Sequence, residues 1–223
     1  LKKFQITSFR KDIETFGRSA KINFSRNITD DARRRDFTFN AIYCSKEGNI
    51  IDPLNNFQDV KKKRIRFIGD AGKRIKEDYL RILRFFRLIA ELELHKDTID
   101  KGYLEIIASQ KENLNIISKE RIFSEFKRIL LSVNPTQSLE LLEKTKIYEN
   151  YLGYFNKKRI SSLIFFEKKY KLAPILVRRC LSLELKNSKL ILSKKEKGHY
   201  DLLKGSFVKI RNLKFLGFSI GFE

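Results

Sequence analysis

From Asp78 onward the apolar residues fall into step with an α-helix and stay in step. Tyr79, Ile82, Leu83, Phe86, Ile89 and Ala90 make one stripe at spacings of three and four, the period that puts side chains on a single helical face. Further stretches predict helices over 96–109, 118–132, 136–146, 157–170 and 175–185. Pro135 divides two of them, because it lacks the amide donor a helix interior needs. Before residue 77 the pattern is mixed. Residues 4–10 alternate as a strand does, and residues 13–29 carry no clean period and read as a loop. Asp30 or Asp31 is placed to cap a helix from about Arg34 to Ile42. A hairpin follows, with Ile42 to Cys44 and Ile50 to Ile51 joined by a turn at Lys46 to Asn49, then a short helix over 57–62 and a strand over 64–68. This order predicts an α+β fold, mixed over 1–76 and all-helical over 77–203. The tail, 204–223, gains Gly and Phe and loses the helical period.

Composition narrows the partners. Hydrophobic residues make up 42% of the 223, enough for a core, while 48 Lys and Arg against 27 Asp and Glu leave a formal charge of +21. Such an excess attracts polyanions, and nucleic acid is the first to consider, although a solvated lysine-rich surface has the same composition. Cys44 and Cys180 are too few for a disulfide framework and predict reduced, buried thiols at a cytoplasmic address. No apolar stretch approaches a membrane span, and the basic start is not followed by a signal-type core. The chain begins at Leu1 and holds no Met, which reads as a fragment or an incomplete gene product.

Two segments carry chemistry. The first is Arg33, Arg34, Arg35 and Asp36: forked guanidinium donors suit phosphate, and a helix entry at this point would add the positive end of its dipole. Asp36 repels phosphate, but it can orient Arg35 or accept from a ribose hydroxyl. The second is Asp78, Arg81, Arg84 and Arg87, each three residues on, winding down the helix beside the apolar stripe. A carboxylate beside a guanidinium offers an acceptor and donors together, matching the exocyclic amine and ring acceptor of cytosine or adenine. Uracil and guanine present another order. Either segment alone is also what a surface ion-pair cluster looks like.

The continuation weighs against that simpler reading. RRDFTFNAI, residues 34–42, and EDYLRILRFFRL, residues 77–88, together resemble the motifs of the class II tRNA nucleotidyltransferases (the CCA-adding enzymes) and bacterial poly(A) polymerases. The resemblance covers residues 4–145 well and runs more loosely to about 203. It implies part of a DNA polymerase β-like nucleotidyltransferase head followed by a helical neck and body. Arg35 would touch the incoming triphosphate and Asp36 the sugar region, with Asn40 in support and Phe37, Phe39 and Ala41 as packing residues. Asp78 and Arg81 would serve as a protein template for the base, while Arg84 and Arg87 hold the nucleotide from further along. Residues 49–69 resemble a hinge segment whose usual glycines are here Asn55 and Asn56, with Asp59 capping a helix or pairing with Arg66. Residues 117–135 resemble the helical region after the head, where Arg121, Lys127 and Arg128 are candidates for RNA backbone.

The family's glycine-rich, DxD-bearing segment, which holds its metal ions, is not in this sequence, and Gln5 stands where the family often has Glu. No catalytic and no metal-ligating residue is therefore assigned. The resemblance implies CMP and AMP addition to tRNA 3′ ends from CTP and ATP with Mg2+, by a truncated or split enzyme whose metal site lies on a separate N-terminal fragment, the isolated chain being inactive. A poly(A) polymerase using ATP, or a non-catalytic RNA-binding remnant, are the alternatives.

Overall fold

The structure, a computed structural model, describes residues 6–16, 19–148, 151, 154–181, 183–184 and 191–209. It divides into two compact units, residues 1–88 with 94–117 and residues 89–93 with 118–223.

The first unit opens with an antiparallel ribbon, β1 (Arg10–Phe16) and β2 (Ser19–Phe24), paired from Arg10↔Phe24 to Phe16↔Ser19 with a register shift between Asp12 and Glu14. The strand expected over 4–10 thus begins where it should have ended, and much of the expected loop is ribbon; Phe4 and Gln5 lie outside the described residues. Main-chain hydrogen bonds can form such a ribbon without a side-chain period to announce it. Helix α1 (Ile28–Arg34) starts at Asn27, whose side chain accepts the Thr29 amide at 2.8 Å. Asp30 and Asp31 fall inside its first turn, and the chain leaves it at Arg35 in an extended conformation. The helix expected from Arg34 to Ile42 is displaced by about two turns, since Asn caps as well as Asp; only a 3-10 turn at Thr38–Ala41 occupies the expected span.

Strands β3 (Tyr43–Cys44) and β4 (Ile50–Ile51) pair as the hairpin signal predicts, Tyr43 opposite Ile51, with Gly48 at φ +88° in the turn. Successive strand residues face opposite ways, so Cys44, expected to be buried, is exposed next to half-buried Tyr43, whereas Cys180 is buried as expected. Asn55 takes the left-handed conformation, φ +55°, ahead of α2 (Phe57–Lys61). The strand expected over 64–68 reduces to one bridge, Phe37 to Phe67, in which Thr38 donates to the Arg66 carbonyl and Ile68 to that of Asp36. An unexpected helix, α3 (Ala71–Glu77), is capped by Asp70 accepting the Lys73 amide at 2.7 Å. After α4 (Leu80–Glu91), the helix predicted over 96–109 splits into a 3-10 turn at Lys96–Thr98 and α5 (Lys101–Gln110), because the Asp100 side chain caps Gly102 between them.

The core of this unit is aromatic. Phe37 lies 4.7 Å from Phe67 and 6.2 Å from Phe85, Phe67 stacks on Phe85 at 5.9 Å, and Tyr103 closes edge-on against both Phe67 and Phe85. Ala32, Ala41, Ile65, Ile75, Ile82 and Leu83 are buried around them. Burial of such rings is worth about 1.5–3 kcal/mol apiece and ties the first motif to α4.

The second unit holds α6 (Lys119–Leu131), α7 (Thr136–Lys144), α8 (Lys157–Lys169), α9 (Leu176–Leu181) and α10 (Lys194–Lys209). A small pair, β5 (Tyr154–Phe155) and β6 (Leu183–Glu184), ends the helix predicted over 175–185 early. Helix α10 runs to Lys209, into the stretch expected to be irregular, and residues 210–223 lie outside the described part. Ile122, Phe126, Ile129, Leu139, Leu142, Ile160 and Val177 form its interior. A buried Arg179–Glu167 ion pair joins α9 to α8. Among the described residues no helix is long and apolar enough to cross a membrane.

Candidate nucleotide-binding site

The arginine run sits at the C-terminal end of α1, not at a helix entry, so the dipole there is negative and the cations stabilise the helix. The expectation of a helix N-terminus beneath a bound phosphate is thereby corrected. What organises the arginines is Asp31. Arg34 donates Nε and Nη2 to its Oδ1 at 2.8 and 2.6 Å, Arg35 donates Nε and Nη2 to its Oδ2 at 3.1 and 2.7 Å, and the Tyr43 hydroxyl adds 2.9 Å. Burial alone would raise the Asp31 pKa, but the bonds from Arg35, Arg34 and Tyr43 outweigh it and bring it down to about 2. Burial and the bond to Asp31 push Tyr43 up to about 12, against the pull of Arg35, whose guanidinium stands 5.6 Å over the ring. Although burial opposes it, the charge and bond of Asp31 raise the Arg35 pKa further.

Asp36 is the hub of the second cluster. Its buried carboxylate accepts from Asn40 Nδ2 at 2.5 Å and from Arg84 Nη1 at 3.0 Å, 48 residues away along the chain. Desolvation works against its ionised form, yet Asn40 and Arg84 hold the pKa below the ordinary value. The support role expected of Asn40 is what it performs, and Phe37 and Ala41 are fully buried as packing residues, with Phe39 half-buried.

Arg74 links the two segments: its Nη2 donates to the main-chain carbonyls of Arg34 and Arg35, and its Nη1 to Glu77. Glu77 also receives Arg81 Nη1, which reaches the Arg74 carbonyl as well. Arg81 is thus buried and turned toward α3, whereas Asp78 closes α3 and accepts the Leu80 amide at 3.1 Å as α4 begins. Arg84 remains about a third exposed beside Asp36, and Arg87, the next step along α4, is buried. The result is a set of guanidinium groups oriented by three carboxylates, chemistry suited to a polyanionic ligand.

Asp31, Tyr43, Arg74 and Glu77 were missed in the sequence. Asp31 precedes Arg34 and Arg35 by three and four residues, and Glu77 follows Arg74 by three and precedes Arg81 by four, so spacings of three and four could have paired them. The reach of Arg74 to carbonyls some 40 residues earlier had no local signal. Arg66 does pair with Asp59, at 2.8 Å. In the second unit, Lys127 pairs with Glu196 and Arg128 with Glu91, so neither offers a bare charge. A cavity of about 300 Å³ lined by Arg64, Arg66, Thr98 and Tyr103 includes none of the residues assigned to the nucleotide.

A family model described as the poly A polymerase head domain matches residues 1–66, and one described as the probable RNA and SrmB-binding site of polymerase A matches 98–157. The chain is 34% identical over 221 residues to the mitochondrial CCA tRNA nucleotidyltransferase 1 of Mus musculus, covering 91% of this chain and 50% of that protein. It is 36% identical over 156 residues to the CCA-adding enzyme of Leuconostoc citreum, covering 69% and 38%. Its fold superposes on the Bacillus stearothermophilus CCA-adding enzyme, solved in complex with CTP, with a TM-score of 0.64 at 23% identity, over 92% of this chain and 51% of that one. The chain spans half or less of the length of these curated relatives.

Proposed function

Because the chain belongs to the class II tRNA nucleotidyltransferase and poly(A) polymerase family, we propose that it is the nucleotide-selecting and RNA-binding portion of an enzyme that builds CCA ends on tRNA from CTP and ATP. In this reading residues 1–76 belong to the nucleotidyltransferase head, and 77–203 form the neck and body. One observation carries it: the Arg84–Asp36 ion pair joins the two motifs, 48 residues apart, into one cluster of arginines and carboxylates.

Arg35 and Arg84, each about a third exposed, neutralise phosphate charge, with Arg87 behind them. Asp36 accepts from the sugar, and Asp78 with Arg81 reads the base edge. Arg81 now bonds to Glu77 and the Arg74 carbonyl, so reading a base means sharing or exchanging those partners. Mg2+ is the cofactor this function implies, to supply charge neutralisation at the reacting phosphate. The carboxylates of the site do not fit it: Asp31, Asp36 and Glu77 are each bound by arginines, and among the described residues no three His, Cys, Asp or Glu cluster to hold a metal. These residues therefore bind and orient the nucleotide. The cytoplasmic address read from the sequence stands beside a mitochondrial one, the compartment in the mouse relative's name.

The test is calorimetric titration of the purified chain with CTP, ATP, UTP and GTP. CTP and ATP are expected to bind more tightly than UTP and GTP, and Asp78→Ala to level the four, since each lost or mismatched hydrogen bond costs roughly 1–3 kcal/mol. Equal affinities in the unaltered chain would sink the template assignment. Selection of ATP alone would favour the poly(A) reading, to which the family descriptions also point.

A further inference from the structure

Asp31 is 1% exposed, and five donor groups converge on its two oxygens: Nε and Nη2 of Arg34, Nε and Nη2 of Arg35, and the Tyr43 hydroxyl. Both arginines approach side-on, so the same edge of each guanidinium is engaged and the Nη1 group of each is left out of the contact. A buried negative charge beside a phosphate site weakens phosphate binding by its field alone. Its presence is accounted for if what it supplies is orientation: arginine has a long, freely rotating stem, and a fork held by a fixed carboxylate loses less on binding. Tyr43, anchored in the β3–β4 hairpin, donates its hydroxyl to Oδ2, the oxygen Arg35 engages, and so helps to hold the carboxylate.

We propose that Asp31, with Tyr43 behind it, is a positioning residue that fixes the guanidinium planes of Arg34 and Arg35 for the triphosphate of the incoming nucleotide. This rests on the nucleotide-binding reading above, and extends it to Arg34 on the phosphate side and to Asp31 and Tyr43, which touch no substrate.

The sign of one substitution separates orientation from field. Asp31→Asn keeps the shape and adds one unit of positive charge, so electrostatics alone would tighten binding of CTP and of inorganic tripolyphosphate. Positioning requires the reverse: both affinities are expected to fall about tenfold or more, the scale of a lost charge-assisted hydrogen-bond pair. The preference for CTP over UTP is expected to persist, because the base is read elsewhere; general damage to the fold would erode both together. Titrations of the full chain at low salt, with circular dichroism confirming folding, supply these numbers. Equal or tighter binding by folded Asp31→Asn overturns the proposal. Should that variant not fold, Tyr43→Phe decides, as it changes no charge: about a fivefold loss is expected from one hydroxyl bond, and unchanged affinity overturns it. Failure of the unaltered chain to bind CTP would instead remove the nucleotide-binding reading itself.

Discussion

Asp36 and Arg84 meet because their neighbours do. Phe37 and Phe85 are packed 6.2 Å apart in the aromatic core, and each carries the preceding charged residue to the rim of that core. The ion pair is thus a consequence of apolar burial, and its loss should register as stability as well as binding. Arg84→Ala leaves the buried Asp36 carboxylate with Asn40 and its neighbouring amide, and is expected to cost about 1–3 kcal/mol in urea unfolding. An unchanged midpoint would mean the pair forms only incidentally. Acid should act through Asp31. Its folded pKa, about 2, lies below the ordinary 3.8, so its contribution is complete above pH 3.8 and is lost as pH falls toward 2. With one pKa unit worth about 1.4 kcal/mol, that loss is of order 2 kcal/mol. In Asp31→Asn the part of the acid transition between these values should flatten; a transition of the same shape would place the acid sensitivity elsewhere.

At the scale of elements, what could be read in the sequence was what side-chain period and turn chemistry encode. The stripe from Tyr79 to Ala90 became α4, Lys46 to Asn49 became the hairpin turn, and Asn55 took the left-handed backbone that a glycine usually fills. What could not be read was decided by competition between adjacent, chemically similar residues. Asn27, Asp30 and Asp31 are all good caps within five positions, and the choice of Asn27 moved α1 back and turned a helix-entry arginine cluster into a helix-exit one. Helix α3 was passed over although Asp70 was its cap. The α1 assignment has its own test: Asn27→Ala should cost about 1 kcal/mol of stability, as loss of an N-cap does. Asp30→Ala should cost less in helix formation, since its carboxylate accepts from the Ser25 hydroxyl and not from a free amide. The reverse order would restore the helix start read from the sequence. The candidate site followed the same division: the motif arginines and Asp36 were legible, whereas the acids that orient them needed the helix boundaries first.

Over the whole molecule the excess of positive charge is the dominant property, and it bears on the proposed binding of RNA rather than on fold. A formal +21 draws a polyanion to the surface, and each phosphate neutralised releases counterions, so affinity should fall on a straight line of log K against log[salt]. If about six to ten phosphates are engaged, raising salt from about 50 to about 200 mM weakens binding by about 10³–10⁵. Not every basic residue can contribute equally. Lys127 and Arg128 lie in the stretch first read as backbone-binding, but each is held by an acid, Glu196 and Glu91, at 2.8 and 2.7 Å. Engaging RNA there would exchange one partner for another, with little net gain. Lys127→Ala and Arg128→Ala are therefore expected to leave the salt slope for tRNA close to that of the unaltered chain. Substitution of an exposed lysine with no acidic partner among the described residues, Lys158 for example, should reduce it by nearly one. Filter-binding titrations across a salt series measure both. A flat titration would leave only a lysine-rich surface, and a slope that falls for Lys127→Ala but not for Lys158→Ala would show that the ion pairs open to admit the RNA.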